Sequence, residues 1–522
     1  MRMLDCYSSE DILSTLMELG DGPDLSIERP FGKLNLRWRA YGGTASNIST
    51  IGLATKPGKS LTERVTNAID AVLEDRSMQS NSANRPDSPR QAAQDWFGRP
   101  MSGPDTGLFQ GMPTSTDRRI SVVLLPSGIE DRPTVDVLDA GSGIVPQDFQ
   151  KTILSLQAGN KITKRYQIGA FGQGGSSTLA FADYVLIVSR CKREPTKCGF
   201  TVVRVLKLDA SYKEDCYAYL ATEDGEPFIA EVAQGERLTL YKSEGDTATP
   251  FLEYGTLVRH VNYRLSGISK SLQASPGNLY HYLHYSLFDP VLPFRVWDIR
   301  DPSRLRSEYV GGSRNRLLSR SISAEGSGNV QVRHYRPMEY IVPAGGDTPC
   351  IGIEYWVVLA FRKQGESEDV LRANSAELFV QNGHPIVGTL NGQTQGELTA
   401  QLFKEIGLGL LARHAIVHID ASAADSRVRR ELFATSREGF KEGPVLDSIS
   451  TCLRRMLEED EDLVADHWCL PRPLYCDWTW RAQSFGKRRS PELLPIPEPR
   501  TGLSKRRGAT GWSTKAKVTP IV

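Results

Sequence analysis

Three short stretches of this 522-residue chain place residues able to do chemistry at regular spacings. The first is "SLTERVTNAIDAVLEDR", residues 60–76. On a helix, Glu63, Asn67, Asp70 and Glu74 fall within about 60° of one another. Leu61, Val65, Ala68, Ile69 and Val72 cover the opposite side. Taken alone, this is a helix with a solvated acidic face, opened by Ser60-x-x-Glu63 as a capping box. Asn67 is a weak helix former placed on the polar stripe. The second stretch is "VDVLDAGSGI", a strand that ends at Asp139 and is followed by Gly141 and Gly143. A carboxylate there can accept a hydrogen bond from the exocyclic amine of a base, and the glycines let backbone pass close to a flat ring. Equally, Asp139 can help to cap an ordinary strand-to-helix turn. The third is "QIGAFGQGGSSTLAFADYVLIVSR", in which Gly169, Gly172, Gly174 and Gly175 precede a helix start at Ser176 or Ser177. Free backbone N–H groups at such a start bind phosphate.

A fourth stretch, "GLATKPGKS", nearly spells a phosphate-binding loop but fails on spacing. Five residues separate Gly52 from Gly58-Lys59, where the motif has four. Pro57 removes one of the N–H groups on which such a loop depends, and the preceding "GGTASNIST" is loop rather than buried strand.

The surrounding pattern supplies elements to hold these stretches. Residues 1–59 contain one amphipathic helix and a β-like run, "KLNLRWRAYG". Residues 60–76 form a helix, and 77–118 a Ser-, Pro- and Gly-rich surface insertion in which "QAAQDWFG" makes two helical turns. Strands "RISVVLLP" and "TVDVLDA" follow, then a helix over 146–157. "YVLIVSR" and "GFTVVRVLKL" make a hairpin, with "ERLTLYKS" and "GTLVRHVNY" as further strands. A composition shift near 265–285 marks a boundary. Beyond it lie strands ("EYWVVLAFRK", "HAIVHID"), helices ("ELTAQLFKEIGLGLLA", "VLDSISTCLRRMLEEDEDLVADHW") and "ELFVQNGHPIVG", a hairpin turning at Asn382-Gly383. The expected class is an α/β sandwich without strict βαβ alternation.

Order and spacing join the three stretches. "ERVTNAIDA", "DAGSGI", "GAFGQGG" and the later "GTLV" resemble, in that order, the ATP-binding domain shared by DNA gyrase, heat-shock chaperones, histidine kinases and MutL, the GHKL or Bergerat fold. MORC- and MutL-like ATPases are nearest in layout. The resemblance covers roughly residues 30–262 and implies ATP and Mg2+ as ligands. By it, Glu63 is the general base that activates water. Asn67 ligates Mg2+, with Asp70 beside it in the nucleotide site. Asp139 takes the adenine amine, Gly141 and Gly143 shape the base pocket, and Gly169, Gly172, Gly174 and Gly175 form the lid. Thr256 supports Asp139 through water, and Asn160 and Lys161 approach ribose and phosphates. Ser176 and Ser177 depart from the bulkier residues of many relatives. The region after 270 resembles the transducer domain of gyrase and MutL, which implies a basic residue reaching the γ-phosphate. Arg437 is the first choice, with Arg429 and Arg430 as alternatives. The implied layout is a Bergerat-type α/β sandwich at 1–265, a transducer-like α/β domain at 266–480 and a disordered basic tail at 481–522.

Bulk properties bound the partners. The net charge of +1 predicts neither nucleic-acid nor membrane binding over the chain as a whole. Residues 481–522, however, carry ten Lys or Arg against two Asp or Glu, a patch able to neutralise DNA phosphates. No run of eighteen apolar residues is present, so no membrane span is expected. The acidic, amphipathic N-terminus is unlike a signal peptide, and a cytoplasmic location is expected. Eight cysteines in this length are expected as free buried thiols rather than a disulfide framework; His467 beside Cys469 leaves a metal site conceivable. On the amphipathic N-terminal helix "SEDILSTLMEL", Ile12, Leu13, Leu16 and Met17 need a partner surface. Three functions follow from the resemblance: an ATP-driven machine that dimerises on ATP, with prokaryotic DNA maintenance or phage defence as its setting; a chaperone-like ATPase; or a non-hydrolytic nucleotide-binding protein. A histidine kinase is disfavoured, because His260, the first histidine, follows every ATP motif.

Overall fold

A computed structural model describes residues 2–469 except 23–26, 52–55, 81–84, 101–108, 110–111, 113–114, 157–162, 170–174, 208–213, 242–248, 274, 323–329, 341, 343–349, 361–374 and 435–438. Of the expected features, the basic tail, Arg437, Asn160, Lys161, Gly172 and Gly174 lie outside the described residues. Met1–Pro471 form one compact unit.

The helices are α1 (Ser9–Glu18), α2 (Ile48–Ile51), α3 (Pro57–Gln79), α4 (Pro89–Phe97), α5 (Leu279–Ser286), α6 (Gly312–Ile322), α7 (Gln401–Glu405), α8 (Ser426–Leu432), α9 (Pro444–Glu459) and α10 (Glu461–Cys469). The larger sheet uses β1 (Arg37–Ala40), β2 (Ile120–Leu125), β3 (Thr134–Asp139), β4 (Tyr184–Arg190), β5 (Lys197–Leu206), β6 (Cys216–Ala221), β7 (Phe228–Glu231), β10 (Gly255–Val261), β11 (Phe294–Asp298) and β12 (Arg306–Val310). Its order is β1-β6-β5-β4-β10-β3-β2-β11-β12, with β7 on β5. All its pairings are antiparallel except that of β11 with β2. This sheet therefore continues past residue 265. The short β8 (Leu238–Thr239) and β9 (Phe251–Leu252) pair with each other. A second sheet of β13 (Val330–Tyr340), β14 (Ile351–Ala360), β15 (Ile386–Leu390), β16 (Gln393–Leu398) and β17 (Ala415–Asp420) runs β13-β14-β17-β15-β16. The protein is thus mixed α/β.

Alternation along the strands serves two cores, one on each face of the larger sheet. Val122, Leu124, Val135, Val137 and Ile187 pack with Leu61, Val65, Ile69 and Val72 of α3, Ala92 and Ala93 of α4, and Leu279 and Leu283 of α5. Val123, Leu125, Leu138, Leu186 and Leu257 pack with Ile12 and Leu16 of α1. The partner surface for α1 is therefore the chain's own sheet, although Leu13 and Met17 stay exposed. Below the sheet, Arg259 and Asp136 form a fully buried ion pair at 2.9 Å, and Arg259 also donates to the carbonyls of Leu4 and Cys6.

Several expectations are corrected. α3 begins at Pro57, not Ser60: proline at the first helical position presets the backbone, so Ser60 is interior and buried, and no side chain caps this end. The capping box lies instead on α1, between Ser8 and Asp11. The segment 77–118 is not wholly surface, since α4 buries Ala92, Ala93 and Phe97. Residues 146–156, the described part of the expected helix 146–157, make no α-helix. A 3-10 turn at Pro146–Asp148 continues in tight turns such as Thr152 N–H to Phe149 O, and Gly42 N–H takes the Leu154 carbonyl. The expected helix around 397–412 shrinks to α7 and a 3-10 turn at Leu411–Arg413, with Gly407 at a positive φ between them. The hairpin turns at Asn391-Gly392, not Asn382-Gly383. Asn391 and Gly392 both take positive φ, as a tight hairpin turn requires, whereas 376–378 is a 3-10 turn. Cys191 and Cys198 are free and buried, as expected.

Candidate active site

The site is built from the edge where α3 crosses the ends of β3 and β10. Asp139, the last residue of β3, lies opposite Thr256 of β10. Its Oδ1 accepts the N–H of Gly141 at 2.9 Å and the N–H of Thr256 at 3.3 Å, so Thr256 supports it directly through its backbone. The Thr256 hydroxyl turns to Ser189 Oγ, 2.9 Å away. Asp139 Oδ2 has no hydrogen bond among the described residues. Asp139 is only 7% exposed, and burial pushes its carboxyl up to about 7 against the lowering effect of the two N–H donors. Gly141 must be glycine because a Cβ there would stand 2.6 Å from the Ala71 backbone of α3. Gly143 sits at φ 67, a left-handed conformation that favours glycine.

The acidic stripe of α3 is not a solvated face. Glu63 and Asp70 are buried. Asp70 Oδ1 accepts the Ile168 N–H at 2.6 Å and Oδ2 the Gly169 N–H at 3.1 Å. Glu74 accepts from Lys164 at 2.7 Å, Tyr166 at 2.7 Å and Gln167 at 2.9 Å. One turn and more of α3 thus pins residues 164–169, the approach to the glycine run. At the far end of that run Gly175 meets α3 again: a Cβ there would lie 3.1 Å from Asn67 Nδ2 and 3.3 Å from Arg64 Nη1.

Asn67, Asp70, Asp139, Gly143, Gly175 and Thr256 all line one cavity of about 350 Å3, together with Tyr41, Arg64 and Ser176. Of the other expected residues, Gly141 serves through its N–H on Asp139 and Gly169 through its N–H on Asp70. Glu63 lies one helical turn before Asn67 and does not line this cavity. A larger groove, about 760 Å3, contains none of the expected residues and is an open surface of mixed charge, from Asp131 and Arg132 to Arg300 and Arg306. The chemistry-bearing residues, not the size, single out the smaller cavity.

Two residues were missed. Gln393 of β16 donates from Nε2 to Glu63 Oε1 at 2.6 Å. Its position follows from the Asn391-Gly392 turn, whose Gly392 carbonyl accepts the Asp289 N–H at 3.0 Å. Asp289 is held in turn by Arg90 of α4 at 2.7 Å and by Arg99. Arg437, the first choice for a basic residue toward the γ-phosphate, lies outside the described residues. Arg429 donates to Ser422 O and Arg430 to Ser426 O, both within their own neighbourhood. The second missed residue is Arg64, a cation at the border of the acidic stripe; its position beside Glu63 was the available signal.

Among the described residues no group of three or more His, Cys, Asp and Glu could hold a metal, and no helix is long and apolar enough to cross a membrane. No protein-family model matches the chain, and no curated protein matches it.

Proposed function

We propose that this protein is a Mg-dependent ATP hydrolase with a Bergerat-type nucleotide site, in which ATP binding and hydrolysis drive dimerisation and conformational change. The observation that carries the reading is Asp139: a buried strand-end carboxylate with one oxygen fixed by two backbone N–H groups and the other without a hydrogen bond among the described residues, on the wall of the cavity that Asn67 also lines. An adenine amine supplies the donor that the second oxygen lacks.

The residues fit Mg2+ as well. Asn67, which lines the cavity, carries an amide oxygen of the hard type that magnesium takes, and a magnesium ion commonly takes one or two protein ligands and completes its shell with phosphate oxygens and water. That ion would neutralise charge developing on the transferred phosphoryl group. The chain's own residues supply the rest. Asp139 orients the base, Gly175 brings backbone to the Asn67 side chain, and Glu63 takes a proton from the attacking water as the bond to the leaving ADP breaks. Gln393 holds the Glu63 carboxylate from the second sheet.

The setting we propose is prokaryotic DNA maintenance or phage defence, with DNA bound through the basic tail. Phosphate release from Mg-ATP with and without double-stranded DNA tests both halves of this reading. Light scattering with and without Mg-ATP tests dimerisation, and an unchanged monomer mass with ATP bound counts against it.

A further inference from the structure

Arg64 is 6% exposed and lines the candidate active-site cavity. Its Nη2 donates to the backbone carbonyl of Gly175 and, at 3.4 Å, to the Thr178 hydroxyl. Its Nε has no partner among the described residues. Both partners are neutral. The other two cations of the cavity wall differ in this respect: Lys164 lies 2.7 Å from Glu74, and Arg193 lies 3.6 Å from Asp148. Asp70, less than two turns along α3, is engaged by two backbone N–H groups. The surroundings do not favour a lone cation either. His260 stands 3.0 Å from Thr178 Oγ1, and burial together with the Arg64 charge pushes it down to about 3, so it is neutral. Burial also lowers the Arg64 guanidinium from its ordinary range, with only partial compensation from Tyr41, Tyr263 and Asp139.

A buried charge without a counter-charge is costly, and proteins retain one where something pairs with it. The guanidinium is suited to a tetrahedral oxyanion, because its planar fork can donate two parallel bonds. Its location agrees. A Cβ at Gly175 would approach both Arg64 Nη1 and Asn67 Nδ2, so the cation and the amide of Asn67 flank the same point of backbone.

We infer that Arg64 is the anion-recognising residue of this cavity, and that the ligand carries a phosphate group that pairs with its guanidinium. The inference rests on the nucleotide reading for the identity of the ligand, but not for the presence of an anion.

Calorimetry on the full chain with three probes tests it: Mg-ATP, adenosine and inorganic tripolyphosphate. The wild type is expected to bind ATP and tripolyphosphate. Arg64→Met should lose tripolyphosphate, weaken ATP by about 10- to 100-fold, and keep adenosine within about twofold, while Arg64→Lys falls between. Without ligand, Arg64→Met should melt at or above the wild-type temperature, because a buried charge has been removed; a merely structural role would lower it. The wild type also gives a measurement that needs no variant, since tripolyphosphate should raise its melting temperature. Equal binding of both anions by wild type and Arg64→Met overturns the inference and leaves the nucleotide reading intact. If Arg64→Met does not fold, the wild-type shift decides, and its absence overturns the inference. If tripolyphosphate binds through Arg64 but ATP and adenosine do not, the inference stands and the nucleotide reading fails.

Discussion

The side-chain amide of Gln393 donates to Glu63 Oε1 at 2.6 Å, across 330 positions of sequence and from one sheet's hairpin to the other's helix. This contact fixes one oxygen of the proposed general base. Gln393→Leu should therefore slow ATP turnover by about 100-fold through misplacement of Glu63, while changing Mg-ATP affinity less than about twofold, since the carboxylate acts on water rather than on the ground-state nucleotide. Steady-state phosphate release paired with calorimetry separates the two. A large loss of affinity would place Gln393 in binding instead.

Asp139 predicts a pH dependence. Its carboxyl is pushed from the ordinary 3.8 to about 7 by burial. The folded state therefore holds this proton more tightly than the unfolded chain does. The stability it contributes is fully present below pH 3.8 and is lost as pH rises through about 7, at about 1.4 kcal/mol per pH unit. Unliganded Asp139→Asn should thus gain in melting temperature relative to wild type between pH 4 and pH 8. Nucleotide affinity runs the opposite way, because only the ionised carboxylate is the strong acceptor. Wild-type affinity for ATP should tighten from about pH 6 to about pH 8, whereas Asp139→Asn stays weak and flat. Calorimetry at three pH values decides this.

Arg259 and Asp136 predict a large structural effect away from the cavity. Both are fully buried, and Tyr241 adds a bond to Asp136 at 3.0 Å. Arg259→Met strands the carboxylate and should cost about 3–5 kcal/mol in urea unfolding. The double variant with Asp136→Leu should recover much of that loss, because no buried charge remains unpaired. Additive losses in the double variant would show that the pair is not coupled.

Much of the cavity was legible because local pattern carries it. The helix bearing Asn67 and Asp70 has a clean apolar face, and Asp139 ends a strand that, Asp136 apart, is β-branched and aliphatic and is followed by glycines. The roles of Asp70 and Glu74 were not legible. Their stripe looks like any solvated acidic face until residues 164–169 fold onto it. Gln393 was hidden for a different reason. It depends on which of two Asn-Gly pairs makes the hairpin, and Asn391-Gly392 prevails because its turn docks on the backbone of Asp289. Arg64 interrupts no periodicity, and only its neutral partners in the folded chain give it meaning. The failed helix at 146–157 has the same origin, since its Leu154 carbonyl goes to Gly42, far away in sequence.

On the proposed reading, the cavity between α3 and Asp139 holds ATP and Glu63 turns it over. Phosphate release from Mg-ATP by wild type and by Glu63→Ala, at a nucleotide concentration that calorimetry shows to saturate both, tests it most directly. The wild type should release phosphate steadily, and Glu63→Ala should lose about 100-fold or more with binding retained. Undiminished release by Glu63→Ala, or no release by the wild type with ATP bound, contradicts it.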